Sequence, residues 1–178
     1  MILAIDIGNT NIVIGCIHDD KILFTERMST DSNKTVLEYA IGFKTVLELY
    51  HIHTEDLTGS IISSVVPPVT NTVKEALFKI THHQAMVVGP GIRTGLNILT
   101  DNPAATGSDL IVGAVAAIHE YPVPLIIFDF GTATTASVVD RKKNYIGGMI
   151  IPGIRVSLDG LASHASQLSR ISLDAPKK

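Results

Sequence analysis

The sequence predicts an α/β protein made of a βββαβαβα lobe followed by the start of a second copy. Three observations carry this. The stretch Ala4 to Asn11, AIDIGNTN, sets an Asp-x-Gly turn behind an apolar run, and Ile126 to Thr135, IIFDFGTATT, repeats the arrangement. The two aspartates, Asp6 and Asp129, are 123 residues apart (129 − 6), the offset of an internal duplication. Finally, short β-branched runs alternate with longer segments of near-helical period.

The elements follow in order. Ile2 to Ile5 and Ile12 to Ile17 read as the strands of a hairpin; HDDK (His18 to Lys21) makes the next turn and Ile22 to Met28 a third strand. Val36 to Leu49 carries apolar residues at Val36, Leu37, Ala40, Phe43, Val46 and Leu47, a helical stripe. SSVVPPVT (Ser63 to Thr70) reads as strand, turn and helix entry, because paired prolines do not sit in a central strand; the helix is expected over Thr70 to Thr81. Met86 to Val88 is a short strand ended by Gly89-Pro90-Gly91, and Ile111 to His119 a helix apolar enough to be buried on most sides. The cycle then restarts: strand Leu125 to Phe128, turn Asp129 to Thr132, strand Thr135 to Val139, solvated turn DRKKN (Asp140 to Asn144), strand Tyr145 to Ile151 and helix Arg155 to Leu168. Residues 1–118 are assigned to the first lobe and 119–178 to the beginning of the second, which looks unfinished.

Composition narrows the function classes. With 46% hydrophobic and 17% charged residues, the chain is globular rather than disordered. A net charge of −3 without a basic block leaves no electrostatic footprint for nucleic acid. The lone Cys16 fits a reducing compartment, no run approaches the ~20 apolar residues of a membrane span, and Asp6 interrupts the first apolar segment too early for a signal peptide. A cytoplasmic location without membrane contact is expected.

The repeated turn has a chemical reading. Gly8 and Gly131 permit positive φ and leave no Cβ in the path of an anion. Successive N–H groups of such a turn form an anion nest, to which Asn9, Thr10, Asn11, Thr132 and Thr134 add neutral donors. A carboxylate beside phosphates is sensible when a cation, usually Mg²⁺, lies between them. One Asp-x-Gly after a strand is commonly an ordinary turn. Two at matching positions of a repeat favour phosphate binding, with facing turns clamping a nucleotide.

Twin Asp-x-Gly hairpins in duplicated lobes resemble the actin, sugar-kinase and heat-shock ATPase superfamily, with its ribonuclease H-like, actin-like ATPase fold. DIGNTN, SSVVPPVT, GPGIRTGL, DNPAATGSD, DFGTATT and GGMIIPG, in that order, resemble the type III pantothenate kinase family along the whole chain. The resemblance implies a kinase that transfers the ATP γ-phosphoryl group to the primary hydroxyl of pantothenate, the first step toward coenzyme A. It implies that Asp6, Ile7, Gly8, Asn9, Thr10, Asn11, Ile12 and Val13 hold the ATP phosphates, with Thr132 contributing from the second turn. It further implies that Asp6 carries Mg²⁺ through water, that Asp129 coordinates a monovalent cation (K⁺ or NH₄⁺), and that the enzyme is a homodimer. Asp109 falls on the catalytic base, within a substrate segment of Gly107, Ser108, Asp109 and Leu110, and Thr100 falls beside pantothenate.

Three departures accompany the match. Leu110 stands where the family has an arginine, Thr100 where it usually has a tyrosine, and family chains run on past Asp174 to Lys178. A charge-assisted hydrogen bond of the missing guanidinium contributes on the order of 1.5–3 kcal/mol. These departures favour an alternative: a shortened or degenerate member that binds nucleotide without turnover. Phosphohydrolysis by another superfamily member fits the fold but not the motif order. Local chemistry leaves Asp109 open as well, since TGSD (Thr106 to Asp109) is close to a capping box and Asp109 would suit the first turn of a helix. His51, His53, His82 and His83 lie near helix ends, where protonated imidazole complements the dipole. Pro152-Gly153 reads equally as cleft lining or as a strand-to-helix turn.

Overall fold

The computed structural model describes residues 1–165 and 172–175. In chain order the elements are β1 (Ile2–Ile7), β2 (Asn11–His18), β3 (Lys21–Ser29), α1 (Val36–Leu49), β4 (Gly59–Ser64), α2 (Pro67–Thr81), β5 (Met86–Val87), β6 (Asn97–Ile98), α3 (Ser108–Glu120), β7 (Leu125–Phe130), β8 (Ala133–Val139), β9 (Asn144–Pro152) and α4 (Ile154–His164). The chain divides into two compact units, Met1–Thr94 with Ala104–Val112, and Gly95–Pro103 with Gly113–Lys178.

The first unit is built on a five-stranded sheet of order β3-β2-β1-β4-β5, antiparallel among the first three strands and parallel from β1 to β5. Alternation along β1 and β2 sends Leu3, Ile5, Ile7, Ile12, Ile14 and Cys16 to one face, where Tyr39, Phe43 and Leu47 of α1 and Val69, Val73 and Leu77 of α2 complete the core. The other face carries Ala4, Asp6, Val13, Gly15, Ile61 and Ser63, which with Val88 and Val112 line a mainly apolar cavity of about 260 Å³. Asp6 is thereby turned away from the core, opposite Val13 on β2 and Ser63 on β4.

Local chemistry sets the element ends. A capping box starts α1: the Thr35 hydroxyl accepts from the Glu38 N–H at 3.3 Å, and the Glu38 carboxylate accepts from the Thr35 N–H at 2.8 Å. The bonds that this carboxylate accepts from the Thr35 N–H and, at 2.8 Å, from the Thr35 hydroxyl hold the Glu38 carboxyl below its usual range. Asp19 and Asp20 take φ of 46° and 62°, the left-handed pair of a tight hairpin turn.

α2 begins at Pro67 rather than Thr70, three residues earlier than the sequence reading. The first helical position has no N–H to satisfy within the helix and tolerates proline, so Pro67 and Pro68 open the helix instead of preceding it. α3 also differs from expectation: only Ala114 is buried, and the rest of its apolar face is partly open. β6, two residues long, gave no periodic signal of its own. α4 runs from Ile154 to His164 with Ala165 as its C-cap, starting one residue before the expected Arg155 and ending one residue short at 165; the expected portion at 166–168 lies outside the described residues.

The second unit holds a four-stranded sheet of order β6-β9-β8-β7. Its central strand β8 buries Thr134, Thr135, Ala136, Ser137 and Val139. The DRKKN turn is more than a solvated connection, for the Asp140 carboxylate accepts from the N–H groups of Lys142 and Asn144 and from the Asn144 amide. These bonds, chiefly those from Asn144, lower the Asp140 pKa. The internal repeat exposes a contrast: Ile126, Phe128 and Phe130 are 61%, 58% and 71% exposed, whereas their counterparts Leu3, Ile5 and Ile7 are 0%, 2% and 0% exposed under α1 and α2. Among the described residues no helix is long and apolar enough to cross a membrane.

Candidate functional site

Asp6 lies inside β1 rather than in the turn, and the turn proper is Gly8 to Thr10. The Gly8 N–H donates to the Asn11 carbonyl at 3.0 Å, closing a four-residue connection between the paired Ile7 and Ile12. Neither Gly8 nor Gly131 adopts positive φ, contrary to the sequence reading. What Gly8 supplies is room: a Cβ there would lie 3.1 Å from the Asn11 carbonyl oxygen. Asn9, Thr10 and Asn11 are exposed, while the Ile7 and Ile12 side chains are wholly in the core and leave only their backbone for any ligand.

The second turn is similar and one residue shorter. The Gly131 N–H donates to the Ala133 carbonyl at 3.0 Å, and Asp129 pairs with Thr135, six residues on, where Asp6 pairs with Val13, seven on. Asp129, Gly131 and Thr132 are exposed and Thr134 is buried, so Thr134 is not a free donor as first read. Gly153 is packed against this turn. Its N–H donates to the Thr132 carbonyl at 3.0 Å, and a Cβ on it would sit 2.4 Å from both the Gly131 and Thr132 carbonyl oxygens. Its φ of −67° suits any residue, so proximity alone dictates glycine. Gly148, in the same GGMIIPG motif, meets the Ala136 carbonyl oxygen at 2.4 Å in the same sense.

In the first unit, the start of α3 is clipped to the end of β4. The Ser108 hydroxyl donates to the Ser64 carbonyl at 2.9 Å, accepts from the Ser64 N–H at 3.1 Å, and lies 3.4 Å from the Ser63 hydroxyl. Because Ser63 is the register partner of Asp6, this clip brings Ser108 to the strand beside Asp6. Asp109 follows on the first turn of α3, half-buried, its Oδ1 accepting from the Leu110 N–H at 2.8 Å. That carboxylate folds against Gly107, where a Cβ would fall 2.4 Å from Oδ1. Thr100, half-buried, belongs to the second unit with Asp129 and Thr132.

Thr30, Ser63 and Ser64 were not marked as functional from sequence, and Gly153 was read equally as cleft lining or as a turn. The roles of the first three come from contacts between residues 22 to 45 apart, which a local pattern does not carry. Ser63-Ser64 had one visible signal, a pair of small hydroxyls ending an apolar strand.

By its fold the chain is an α/β protein of the ribonuclease H-like, actin-like ATPase class. A solved structure described as a reductive activator for corrinoid, iron-sulfur protein has a TM-score of 0.52 at 11% identity, over 83% of this chain and 30% of that one, a likeness of fold only. The profile of the type III pantothenate kinase family matches residues 2–178. A type III pantothenate kinase of Halalkalibacterium halodurans is 45% identical over 178 residues, 100% of this chain and 70% of that relative. Another, of Brevibacillus brevis, is 47% identical over 176 residues, 99% of this chain and 69% of the relative. The chain belongs to the type III pantothenate kinase family.

Proposed function

We propose that this chain is an ATP-dependent kinase that transfers the γ-phosphoryl group of ATP to the primary hydroxyl of pantothenate, the first step of coenzyme A biosynthesis. The observation that carries the reading is 45–47% identity to type III pantothenate kinases across essentially the whole chain. Residues Asp6 to Val13 hold the ATP phosphates through the turn's N–H groups and the Asn9, Thr10 and Asn11 side chains, and Thr132 adds a hydroxyl. Asp109 accepts the hydroxyl proton as the pantothenate oxygen bonds to the γ-phosphorus and the bond to the ADP oxygen breaks. Gly107, Ser108, Leu110 and Thr100 border the pantothenate. The exposed carboxylates of Asp6 and Asp129 offer the oxygen donors that hard cations take, Asp6 toward Mg²⁺ through water and Asp129 toward K⁺ or NH₄⁺. The metal, when bound, neutralises charge on the β- and γ-phosphates.

The test is a coupled assay of ADP release with ATP, Mg²⁺, K⁺ and pantothenate. D109N is expected to slow turnover about 10²- to 10⁴-fold and to leave Mg–ATP affinity unchanged. Undiminished turnover in D109N would remove Asp109 as base. A second reading, nucleotide binding without phosphoryl transfer, is favoured by Leu110 and Thr100 standing in place of the arginine and tyrosine that the family resemblance implies. Wild-type chain that binds Mg–ATP but releases no ADP with pantothenate would establish it.

A further inference from the structure

The first turn is held from outside by a residue that no motif marks. Thr30 stands one position past β3, half-buried. Its Oγ1 donates to the Gly8 carbonyl at 2.6 Å, and its N–H donates to the Thr10 carbonyl at 3.0 Å. With the Asn11 carbonyl taken by the Gly8 N–H, three of the four carbonyls of residues 8–11 are committed inside the protein. That matters for an anion site. A backbone nest works when its N–H dipoles face the ligand and its carbonyl oxygens, which repel phosphate, are directed elsewhere.

The residue after Thr30 is itself fixed from the core. The phenol of Tyr39, a fully buried side chain of α1, accepts from the Asp31 N–H at 3.0 Å and donates to the Asp31 carbonyl at 2.8 Å. The Asp31 carboxylate accepts from the Asn33 N–H at 2.9 Å. Hydrogen bonds from the buried Tyr39 thus hold Asp31, and through the peptide bond that joins them Thr30, whose own hydrogen bonds reach the Gly8 and Thr10 carbonyls. Buried polar groups of this kind are costly to leave unpaired, so the connection is a stiff one.

We infer that Thr30 is a positioning residue for the triphosphate: by drawing the Gly8 and Thr10 carbonyls away, it presents the turn's N–H groups to the phosphates. The inference rests on the nucleotide reading of Asp6 to Val13 and adds to it a residue outside that segment. T30V keeps the shape and the backbone N–H but deletes the hydroxyl donor; T30S keeps the donor.

The experiment measures the Kd for Mg–ATP and the KM values for ATP and pantothenate in wild type, T30V and T30S. Removing one hydrogen bond predicts a rise of about three- to tenfold in the Kd and KM for ATP in T30V. The KM for pantothenate stays near wild type, and T30S restores ATP affinity. A T30V chain that binds Mg–ATP as wild type does, or in which both KM values rise together without rescue by T30S, overturns the inference. Should T30V not fold, Y39F decides. It deletes the phenol that holds Asp31 and is expected to weaken Mg–ATP binding in the same direction, and an unchanged Kd there is equally fatal. Wild-type chain without Mg–ATP binding overturns the nucleotide reading and this inference with it; normal wild-type binding beside an unaltered T30V overturns the inference alone.

Discussion

Replacing Gly153 by alanine puts one methyl group where the second turn already stands. The added Cβ would lie 2.4 Å from the Gly131 carbonyl oxygen, 2.4 Å from that of Thr132 and 2.8 Å from the Thr132 carbonyl carbon. Reaching even 3.0 Å requires a movement of at least 0.6 Å (3.0 − 2.4), and ordinary contact at 3.4 Å requires 1.0 Å (3.4 − 2.4). Every obstructing atom is backbone, so no side-chain rotation relieves the clash. Overpacking of this kind costs about 1–3 kcal/mol, which for a chain of this size lowers Tm by roughly 2–12 °C. Circular dichroism melting of G153A against wild type reads the stability, and titration with Mg–ATP reads the turn, whose Gly131 and Thr132 must shift. Gly160, in α4 with nothing within 4 Å of its would-be Cβ, supplies the control: G160A is expected to melt no lower than wild type. A G153A chain that melts with wild type and binds Mg–ATP equally would refute the reasoning.

Three further outcomes are expected. S108A leaves the Ser64 N–H and carbonyl without their α3 partner and should destabilise the chain by about 1–3 kcal/mol in urea unfolding, with a fall in kcat if α3 carries the base. E38Q should be less stable than wild type at neutral pH. Because the folded-state pKa of Glu38 is lowered, its stabilisation is present above the ordinary glutamate pKa and lost as pH falls through the folded value, so urea midpoints of the two chains should converge in acid. G113A, at an exposed helical position with open space around it, should raise stability by about 0.5–1 kcal/mol; an unchanged or lowered midpoint would contradict that.

How much of this was readable in the sequence depends on the range of the interaction. The hairpins and the α1 stripe were legible because alternation and helical period are local, and the repeat was legible because Asp-x-Gly recurs after matching strands. Helix boundaries were less so: Pro67 and Pro68 are compatible with a turn or with a first helical turn, and it is the folded contacts that decide, the Thr70 N–H donating to the Val66 carbonyl at 3.2 Å and the Ser64 hydroxyl accepting from the Val66 N–H at 3.1 Å and from Thr70 at 2.7 Å. The burial of α3 was overestimated because apolar composition states what a helix can bury, not what is packed against it. Among the proposed site residues, Asp6, Gly8, Asp129 and Gly131 stood out through the repeated turn, whereas Asp109 was singled out only by the family resemblance. Thr30 and Ser108 act through hydroxyls paired with backbone 22 and 44 residues away, and Gly153 through the absence of an atom.

The unequal length of the two hairpin connections has an engineering corollary. Grafting the sequence of residues 8–11 onto 131–133 without deleting a residue would slide β8 by one position against β7. Such a slip exchanges the sheet's two faces along the whole strand, delivering Thr135 and Ser137 to the side now taken by Thr134 and Ala136. The halves are thus cousins rather than interchangeable parts, and a chimera between them must be cut to length before it can be expected to fold.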